Sequence, residues 1–287
     1  MSHGYAALAV HTDREWLVAD LSAANLLPVR QDSPWANEPP RPAEALWCPG
    51  AWAARLWASG VRLPLTSAGW QWMPRVAARH PELFAHRPVL AATTSSLDSA
   101  LAGWDGPVFG KPAEAKIPGF EAALHVDPDA FRRALHEVLE DPSLTGIQLH
   151  LSGPIATVRE FRCFTEGTSV VAGSFYLDTV QDLTWDAYDT GTAPDPGEAI
   201  GFAQTVLDTL AGDHPPGFVL DVAELEDGSW AVVEANASWS SAPYHADPTG
   251  VVRSILASQP ADLGLSGGRW AWAPDPILLS RSLPLRR

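Results

Sequence analysis

The clearest pattern of apolar and polar positions along the chain is a β-hairpin in its last third. Residues 217–226 alternate and are apolar enough for a strand, and residues 230–236 have the same character. Asp227 and Gly228, which separate them, are a strong signal for a hairpin with a two-residue loop. The pattern therefore predicts two antiparallel strands joined by this dipeptide.

That hairpin brings two carboxylates face to face, because a loop at residues 227–228 sets Asp221 directly opposite Glu234. Asn236 is two residues further on and points to the same face. Like charges in opposite positions are destabilising unless a cation compensates them. Three oxygen donors on one rigid face suit Mg²⁺. The alternative is a hairpin face whose charges lie in water, and the apolar flanks favour the metal site.

Other segments show either the strand period or the helix period. Strands are predicted at residues 4–10, 46–48, 107–112, 146–151, 158–165 and 169–177. Helices are predicted at residues 51–58, at 69–85 with interruptions at Pro74 and Pro81, at 128–140 and at 198–211. Antiparallel strands flanked by helices are typical of an α+β sandwich.

Composition and charge restrict the class of partner. With 34 acidic against 19 basic residues the net charge is −15, which argues against nucleic acid. No apolar run approaches the roughly 20 residues of a membrane-spanning helix, and no signal peptide is visible at the start. Cys48 and Cys163 form neither a zinc spacing nor a disulfide framework. We therefore expect reduced thiols in a cytoplasmic protein, and the sequence shows nothing about its oligomeric state.

Basic residues on predicted strands are candidates for phosphate binding. Lys111 ends a strand and Lys116 follows a Pro-containing turn, and both could equally be ordinary surface lysines. Alternation places Arg162 and Glu160 on one face of their strand and Arg159 on the other. A buried arginine needs a partner. Either Glu160 or a bound phosphate could be that partner for Arg162.

Several short motifs follow in a fixed order. They are Phe109-Gly110-Lys111-Pro112 with Lys116 and Gly119-Phe120, Arg159-Glu160-Phe161-Arg162, Leu220-Asp221-Val222, Val233-Glu234-Ala235-Asn236, and then Ser241 and Tyr244. Their order and spacing resemble the ATP-grasp superfamily of carboxylate–amine ligases over residues 89 to about 257. The likeness is closest to the branch named for one arginine and two lysines in its nucleotide site.

The resemblance implies an α+β ATP-grasp fold, in which two α/β subdomains with antiparallel sheets sandwich a nucleotide. A small α/β domain would precede it. The implied domains are residues 1–88, the small α/β domain, residues 89–257, the ATP-grasp domain, and residues 258–287, a C-terminal tail.

The resemblance also implies roles for individual residues. Lys111 would contact the nucleotide phosphates, Lys116 would lie on the loop that closes over them, and Arg162 would meet the terminal phosphate or an acyl phosphate. Asp221, Glu234 and Asn236 would hold Mg²⁺. The segment Gln148, Leu149, His150 and Leu151 would offer backbone groups to adenine.

The implied reaction uses ATP and Mg²⁺ to activate a substrate carboxylate as an acyl phosphate, which an amine then attacks to form an amide or peptide bond. ADP and phosphate are released, and the substrates would be small-molecule or peptide carboxylates and amines. Two alternatives remain open, a small-molecule phosphotransferase on the same fold and a non-catalytic nucleotide-binding relative.

Overall fold

A computed structural model of the chain describes residues 8–11, 30–32, 45–115, 120–138, 146–181, 183–184, 187, 191–260 and 268–281. The chain divides into two compact units, and each combines segments that are distant in sequence. Unit 1 comprises residues 1–68, 157–272 and 284–287, and unit 2 comprises residues 69–156 and 273–283. The predicted domains, 1–88, 89–257 and 258–287, are a different division of the chain and stay a prediction.

The described strands are β1 (Leu8–His11), β2 (Arg30–Asp32), β3 (Ala45–Trp47), β4 (Val89–Thr93), β5 (Val108–Pro112), β6 (Ala123–His125), β7 (Gln148–Ser152), β8 (Thr157–Glu166), β9 (Ser169–Asp178), β10 (Leu183–Thr184), β11 (Val219–Leu225) and β12 (Trp230–Asn236). The described α-helices are α1 (Gly50–Ala58), α2 (Trp72–Arg79), α3 (Leu97–Ala100), α4 (Pro128–Val138), α5 (Gly197–Leu210), α6 (Pro248–Ala257) and α7 (Pro276–Arg281). Two 3₁₀ helices cover Pro81–Phe84 and Ser238–Ser240.

Unit 1 contains two sheets. Three short parallel strands have the order β2-β1-β3, and five antiparallel strands have the order β10-β9-β8-β11-β12. Helix α5 packs closely on β9, because a Cβ atom at Gly173 would lie only 2.7 Å from Cγ1 of Ile200. Helix α6 begins at an Asp247 side chain that accepts the N–H of Gly250. The five-stranded sheet is therefore covered by helices whose sequence positions suit close contact.

The start of unit 1 is tied to the segment that follows β12. The N–H of Cys48 donates to the carbonyl of Trp239 over 2.9 Å, and the Nε1–H of Trp47 donates to the carbonyl of Ser241 over 3.0 Å. In return, the indole N–H of Trp239 donates to the carbonyl of Thr66 over 2.8 Å. Because these indoles are buried, each needs such a partner. The contacts fix the backbone of residues 239–241.

Unit 2 is built on an antiparallel sheet with the order β4-β7-β5-β6. Its core includes Phe131 and Leu135 of α4, which lie against Leu149 and Leu151 of β7. The helix begins as predicted, because the Asp127 side chain accepts the N–H of Ala130 over 2.7 Å. Its predicted end at residues 139–145 lies outside the described residues.

One helix of unit 2 differs from the prediction. Pro74 does not interrupt it, because the residue lies in the first turn of α2, where the backbone N–H groups have no intrahelical partner. Pro81 begins the following 3₁₀ helix, as a break there predicts. Antiparallel sheets with covering helices confirm the predicted α+β class. Among the described residues, no helix combines the length and apolar character required to cross a membrane.

Candidate active site

Three charged side chains form a row across three neighbouring strands of unit 1. Asp221 of β11 pairs with Arg162 of β8 on one side and with Glu234 of β12 on the other. Paired residues of antiparallel strands point to the same face, so the three side chains share one face of the sheet. The predicted opposition of Asp221 and Glu234 is confirmed.

The register that produces this opposition has a different origin from the predicted one. The loop has three residues, because Leu225 receives the N–H of Gly228 and donates to Ser229, and Gly228 has a φ of 79°. This loop alone would shift Asp221 out of line with Glu234 by one residue. A β-bulge at Val233, which faces no partner on β11, restores the alignment. The prediction of a two-residue loop is therefore wrong, and the bulge offsets the error.

The strongest contact of the row joins Arg162 to Asp221. Nε of Arg162 donates to Oδ1 over 2.8 Å, and Nη2 donates to Oδ2 over 2.7 Å. The side chains are only 11% and 1% exposed, so this bidentate pair is almost fully buried. Nη1 of Arg162 also donates to the carbonyl of Ala242 over 3.1 Å. The acidic partner of Arg162 is thus Asp221 rather than Glu160.

Two tyrosine rings cover the guanidinium of Arg162. Its Cζ lies 5.0 Å from the ring centroid of Tyr244 and 5.7 Å from that of Tyr176. Tyr176 is the extra residue of a β-bulge in β9, since Glu160 and Phe161 pair with Leu177 and Phe175. Bulges commonly redirect a side chain next to a functional site.

Glu160 lies on the same face and is held by hydrogen bonds. Its carboxylate accepts the hydroxyl of Tyr176 and, over 3.3 Å, the hydroxyl of Thr157. Burial raises the pKa of Glu160, the Tyr176 hydrogen bond opposes the shift, and the nearby charges of Asp221 and Glu234 raise the pKa further. The carboxylate is therefore harder to ionise than an exposed one.

Ionisation of the other groups follows from the same surroundings. Burial works to lower the pKa of Arg162, but the charge and hydrogen bonds of Asp221 outweigh it, so the pKa is raised overall. Burial, followed by the charges of Asp221 and Glu160, raises the pKa of Tyr176 well above its ordinary value. Burial also raises the pKa of the Cys163 thiol, so this cysteine stays protonated and unreactive.

The donor set on this face has the chemistry that Mg²⁺ prefers. Asp221 and Glu234 supply carboxylates, and Nδ2 of Asn236 donates to Oδ2 of Asp221 over 2.9 Å. Because a carboxylate oxygen accepts, this bond assigns the amide nitrogen and leaves Oδ1 of Asn236 as its donor atom to a cation. Three carboxylates, counting Glu160, surround one guanidinium, so the face has an excess of negative charge.

The candidate set contains two carboxylates and one amide. Within the residues that the structure describes, no group of three or more His, Cys, Asp or Glu side chains is arranged to hold a metal. A set of this size is typical of Mg²⁺ sites that are completed by water and phosphate oxygens. The residues present therefore fit Mg²⁺ as the companion of a nucleotide, and they fit less well as a cage for the bare ion.

The remaining predicted residues lie in unit 2. Lys111 is half-buried on β5, and its register partner on β7 is His150. Nε2 of the buried His150 lies 2.6 Å from the carbonyl oxygen of Trp70, which can only accept, so Nε2 is the protonated nitrogen. Lys116 falls outside the described residues, and its predicted role stays a prediction.

The predicted adenine segment, residues 148–151, forms most of β7, a strand paired with β4 and β5. The carbonyl of Gln148 accepts the N–H of Ala113 over 2.8 Å, and its N–H donates to Asp275 over 3.2 Å. Leu149 and Leu151 are core side chains. Those backbone groups of Gln148 therefore have partners within unit 2, and the adenine assignment stays a prediction.

Sequence reasoning missed the parts of the site that depend on irregular structure. Tyr176 reaches Glu160 and Arg162 because of a bulge, which breaks the alternation on which face assignment rests. The carbonyl of Ala242 is a backbone group, so no residue type indicates it. Tyr244 is part of a sequence motif, but its positive φ of 51° has no signal in the sequence.

Comparison with known families identifies the class of protein. The family model that matches residues 84–254 is described as an ATP-grasp domain, family 2 of the clade named for one arginine and two lysines. The chain therefore belongs to the ATP-grasp superfamily, as the order of its motifs predicts. In a search of curated proteins, no match was found.

Solved structures support the same fold at low sequence identity. D-cycloserine synthetase DcsG is 12% identical with a TM-score of 0.51, over 87% of this chain and 97% of that one. D-alanine–D-alanine ligase from Bacillus anthracis is 11% identical with a TM-score of 0.50, over 89% of this chain and 99% of that one. These similarities confirm the predicted ATP-grasp fold.

Proposed function

We propose that this protein is an ATP-dependent ligase that joins a carboxylate to an amine through an acyl phosphate. Membership of the ATP-grasp superfamily supports the general kind of reaction. Two proteins of similar fold are named as a synthetase of D-cycloserine and a ligase of D-alanine with D-alanine. The acid and the amine belong to the class of small molecules or peptides.

The observation that carries the proposal is the opposition of Asp221 and Glu234, with Asn236 on the same face. A buried excess of carboxylates needs a cation, and the phosphates of ATP arrive with one. Asp221, Glu234 and Asn236 would hold Mg²⁺. When bound, Mg²⁺ would neutralise charge on the phosphate oxygens.

Arg162 is suited to the phosphoryl-transfer step. Its bonds to Asp221 and Ala242 use three of its five N–H groups, which leaves two to donate to a phosphate oxygen. We assign it to the terminal phosphate of ATP and then to the acyl phosphate. The substrate carboxylate oxygen attacks the terminal phosphorus, the bond to the bridging oxygen breaks, and ADP leaves.

The second step forms the amide bond. The amine nitrogen attacks the acyl carbon, the carbon–oxygen bond to phosphate breaks, and phosphate leaves with the electron pair. The amine loses its proton to solvent or to the departing phosphate, so no side chain of the protein forms a covalent bond. The protein contributes positioning and charge stabilisation.

The same proposal assigns residues of unit 2 to the nucleotide. Lys111 would donate to the phosphates as a point charge, and Lys116 would do so from the segment after β5. Residues 148–151, with Gln148 and His150 as their polar side chains, would contact adenine. Each assignment can be tested separately by nucleotide affinity.

The first test is a calorimetric titration with a non-hydrolysable ATP analogue, with and without Mg²⁺. We expect binding that depends on Mg²⁺ and that Glu234→Gln weakens at least about tenfold, because a carboxylate ligand is lost. Glu226→Gln, an exposed change in the hairpin loop, is the matched control and should bind as the wild type does.

The second test is ADP release with a panel of acids and amines. Release that requires an acid and an amine, with an amide as product, would support the ligase. A phosphorylated product formed without amine would instead identify a phosphotransferase. Binding without ADP release from any acid would identify a nucleotide-binding relative, and no binding in either condition would remove the whole proposal.

A further inference from the structure

The ion pair between Arg162 and Asp221 uses both oxygens of a residue that the proposed function assigns to Mg²⁺. The pair is bidentate and almost fully buried. A third bond from Arg162 to Ala242 and the two tyrosine rings keep the guanidinium in place. Asp221 therefore has its charge compensated before any metal arrives.

We propose that Arg162 makes metal binding depend on nucleotide. In the nucleotide-free protein its positive charge occupies Asp221 and weakens the site for a divalent cation. When phosphate oxygens are bound, they compete for the N–H groups of Arg162, and Asp221 becomes available to the metal. Arg162 is thus a positioning residue for Asp221 in addition to its contact with phosphate. This inference rests on the proposed function for the identity of the nucleotide.

The energetic argument concerns which cation Asp221 faces. A guanidinium and a divalent cation near one carboxylate repel each other, and at ion-pair distances in a partly buried site this repulsion is large. A phosphate group has the charge that offsets both cations. Metal and phosphate therefore assist each other's binding by the same factor, as thermodynamic linkage requires.

The experiment measures Mn²⁺ affinity by electron paramagnetic resonance without nucleotide, with Mn²⁺ in place of Mg²⁺. We expect Arg162→Met to bind Mn²⁺ at least about tenfold more tightly than the wild type, because Asp221 loses its competing cation. With the ATP analogue present the order reverses, because the variant has lost its phosphate contact. An affinity without nucleotide that is unchanged or weaker in Arg162→Met would overturn the proposal.

Arg159→Met is the matched control. Arg159 lies on the same strand, and its Nε donates to Glu224 over 2.6 Å, at a distance from the candidate metal ligands along the strand pair. Loss of an arginine there should leave Mn²⁺ affinity within about twofold of the wild type. A similar gain in Arg159→Met would show a general charge effect and would count against the specific role of Arg162.

Arg162→Lys covers the case in which Arg162→Met fails to fold. Lysine keeps the charge but cannot hold both oxygens of Asp221 in a planar fork, so we expect a smaller gain in Mn²⁺ affinity. Absence of any gain would overturn the proposal. The double change Arg162→Met with Asp221→Asn should lose the gain, because it acts through Asp221.

The outcomes separate this inference from the ligase proposal. If the wild type binds the ATP analogue with Mg²⁺ but neither Arg162 variant gains affinity for Mn²⁺, the ligase proposal stands and the inference fails. If the variants gain affinity for Mn²⁺ but no protein binds the analogue, the ligase proposal fails. The metal-binding role of Arg162 would then stand without its nucleotide.

Discussion

The rings of Tyr176 and Tyr244 are stacked, with centroids 5.3 Å apart and planes at 9°. One ring comes from the bulge in β9 and the other from the segment after β12. Together they enclose the guanidinium of Arg162 with aromatic surface. This arrangement reduces the freedom of an arginine that must meet a carboxylate in one orientation.

The hydroxyl of Tyr176 has a separate function from its ring. Tyr176→Phe keeps the ring against Arg162 but removes the hydrogen bond to Glu160. We expect a loss of about 1–3 kcal/mol in the free energy of unfolding, because a partly buried carboxylate loses a donor. Urea denaturation measures it. Tyr244→Phe also keeps its ring and serves as the comparison, and an equal loss in both variants would contradict the assignment.

Asp221→Asn should destabilise the protein far more than a similar change in another ion pair of the same sheet. It leaves the buried Arg162 without its carboxylate, at an expected cost of about 3–5 kcal/mol. Glu224→Gln breaks the pair with Arg159, whose side chains are 33% and 20% exposed, at an expected cost of about 1 kcal/mol or less. Chemical denaturation without metal compares the two. Equal costs would show that burial of the Arg162 pair has no energetic consequence.

Glu160→Gln should change the pH dependence of stability. The folded-state pKa of Glu160 is raised, so the protonated form is favoured in the folded protein. Its stabilising contribution is complete below the unfolded-state pKa and is lost as pH rises through the folded-state pKa. We therefore expect Glu160→Gln to gain stability relative to the wild type as pH rises from about 4.5 towards neutrality.

Urea denaturation at a series of pH values measures this difference, and subtraction of the wild-type curve removes the other titrating groups. Glu226→Gln in the exposed hairpin loop is the control. A difference between Glu160→Gln and the wild type that stays constant across the range, or falls with rising pH, would show that burial does not raise the pKa of Glu160.

Gly110→Ala tests the close contact between β5 and α4. A Cβ atom there would lie 2.2 Å from Cε2 of Phe131, so the core must shift, at an expected cost of about 1–3 kcal/mol or more. Gly201→Ala in α5 is the matched control, because nothing lies within 4 Å of its Cβ position. There alanine should stabilise the helix by up to about 1 kcal/mol. Thermal unfolding gives both signs, and a neutral Gly110→Ala would contradict the packing.

Regular alternation was enough to predict the elements that carry the site. The two strands of the hairpin at Asp227 and the strand of Arg162 were confirmed, because long alternating runs between turn residues have few other solutions. The opposition of Asp221 and Glu234 was also confirmed. Its predicted basis was wrong, since loop length and bulge both departed from the simple hairpin.

The partners of the charged side chains could not be predicted in the same way. The pairing of Arg162 with Asp221 needs β8 beside β11, a neighbour relation between strands about 60 residues apart in sequence. The contact of Tyr176 with Glu160 needs a bulge that has no sequence marker. Periodicity reports the face of a residue, and neighbouring strands decide what it meets.

The last described segment of the chain completes both units. Trp272 donates its N–H to Leu65 over 2.8 Å in unit 1, and Asp275 accepts from Gln148 in unit 2. During synthesis on the ribosome, neither unit can reach its final structure until these residues have emerged from the exit tunnel. A chain that stops at residue 257 would therefore leave two unfinished folds. Chaperones and proteases would meet those folds as nascent intermediates.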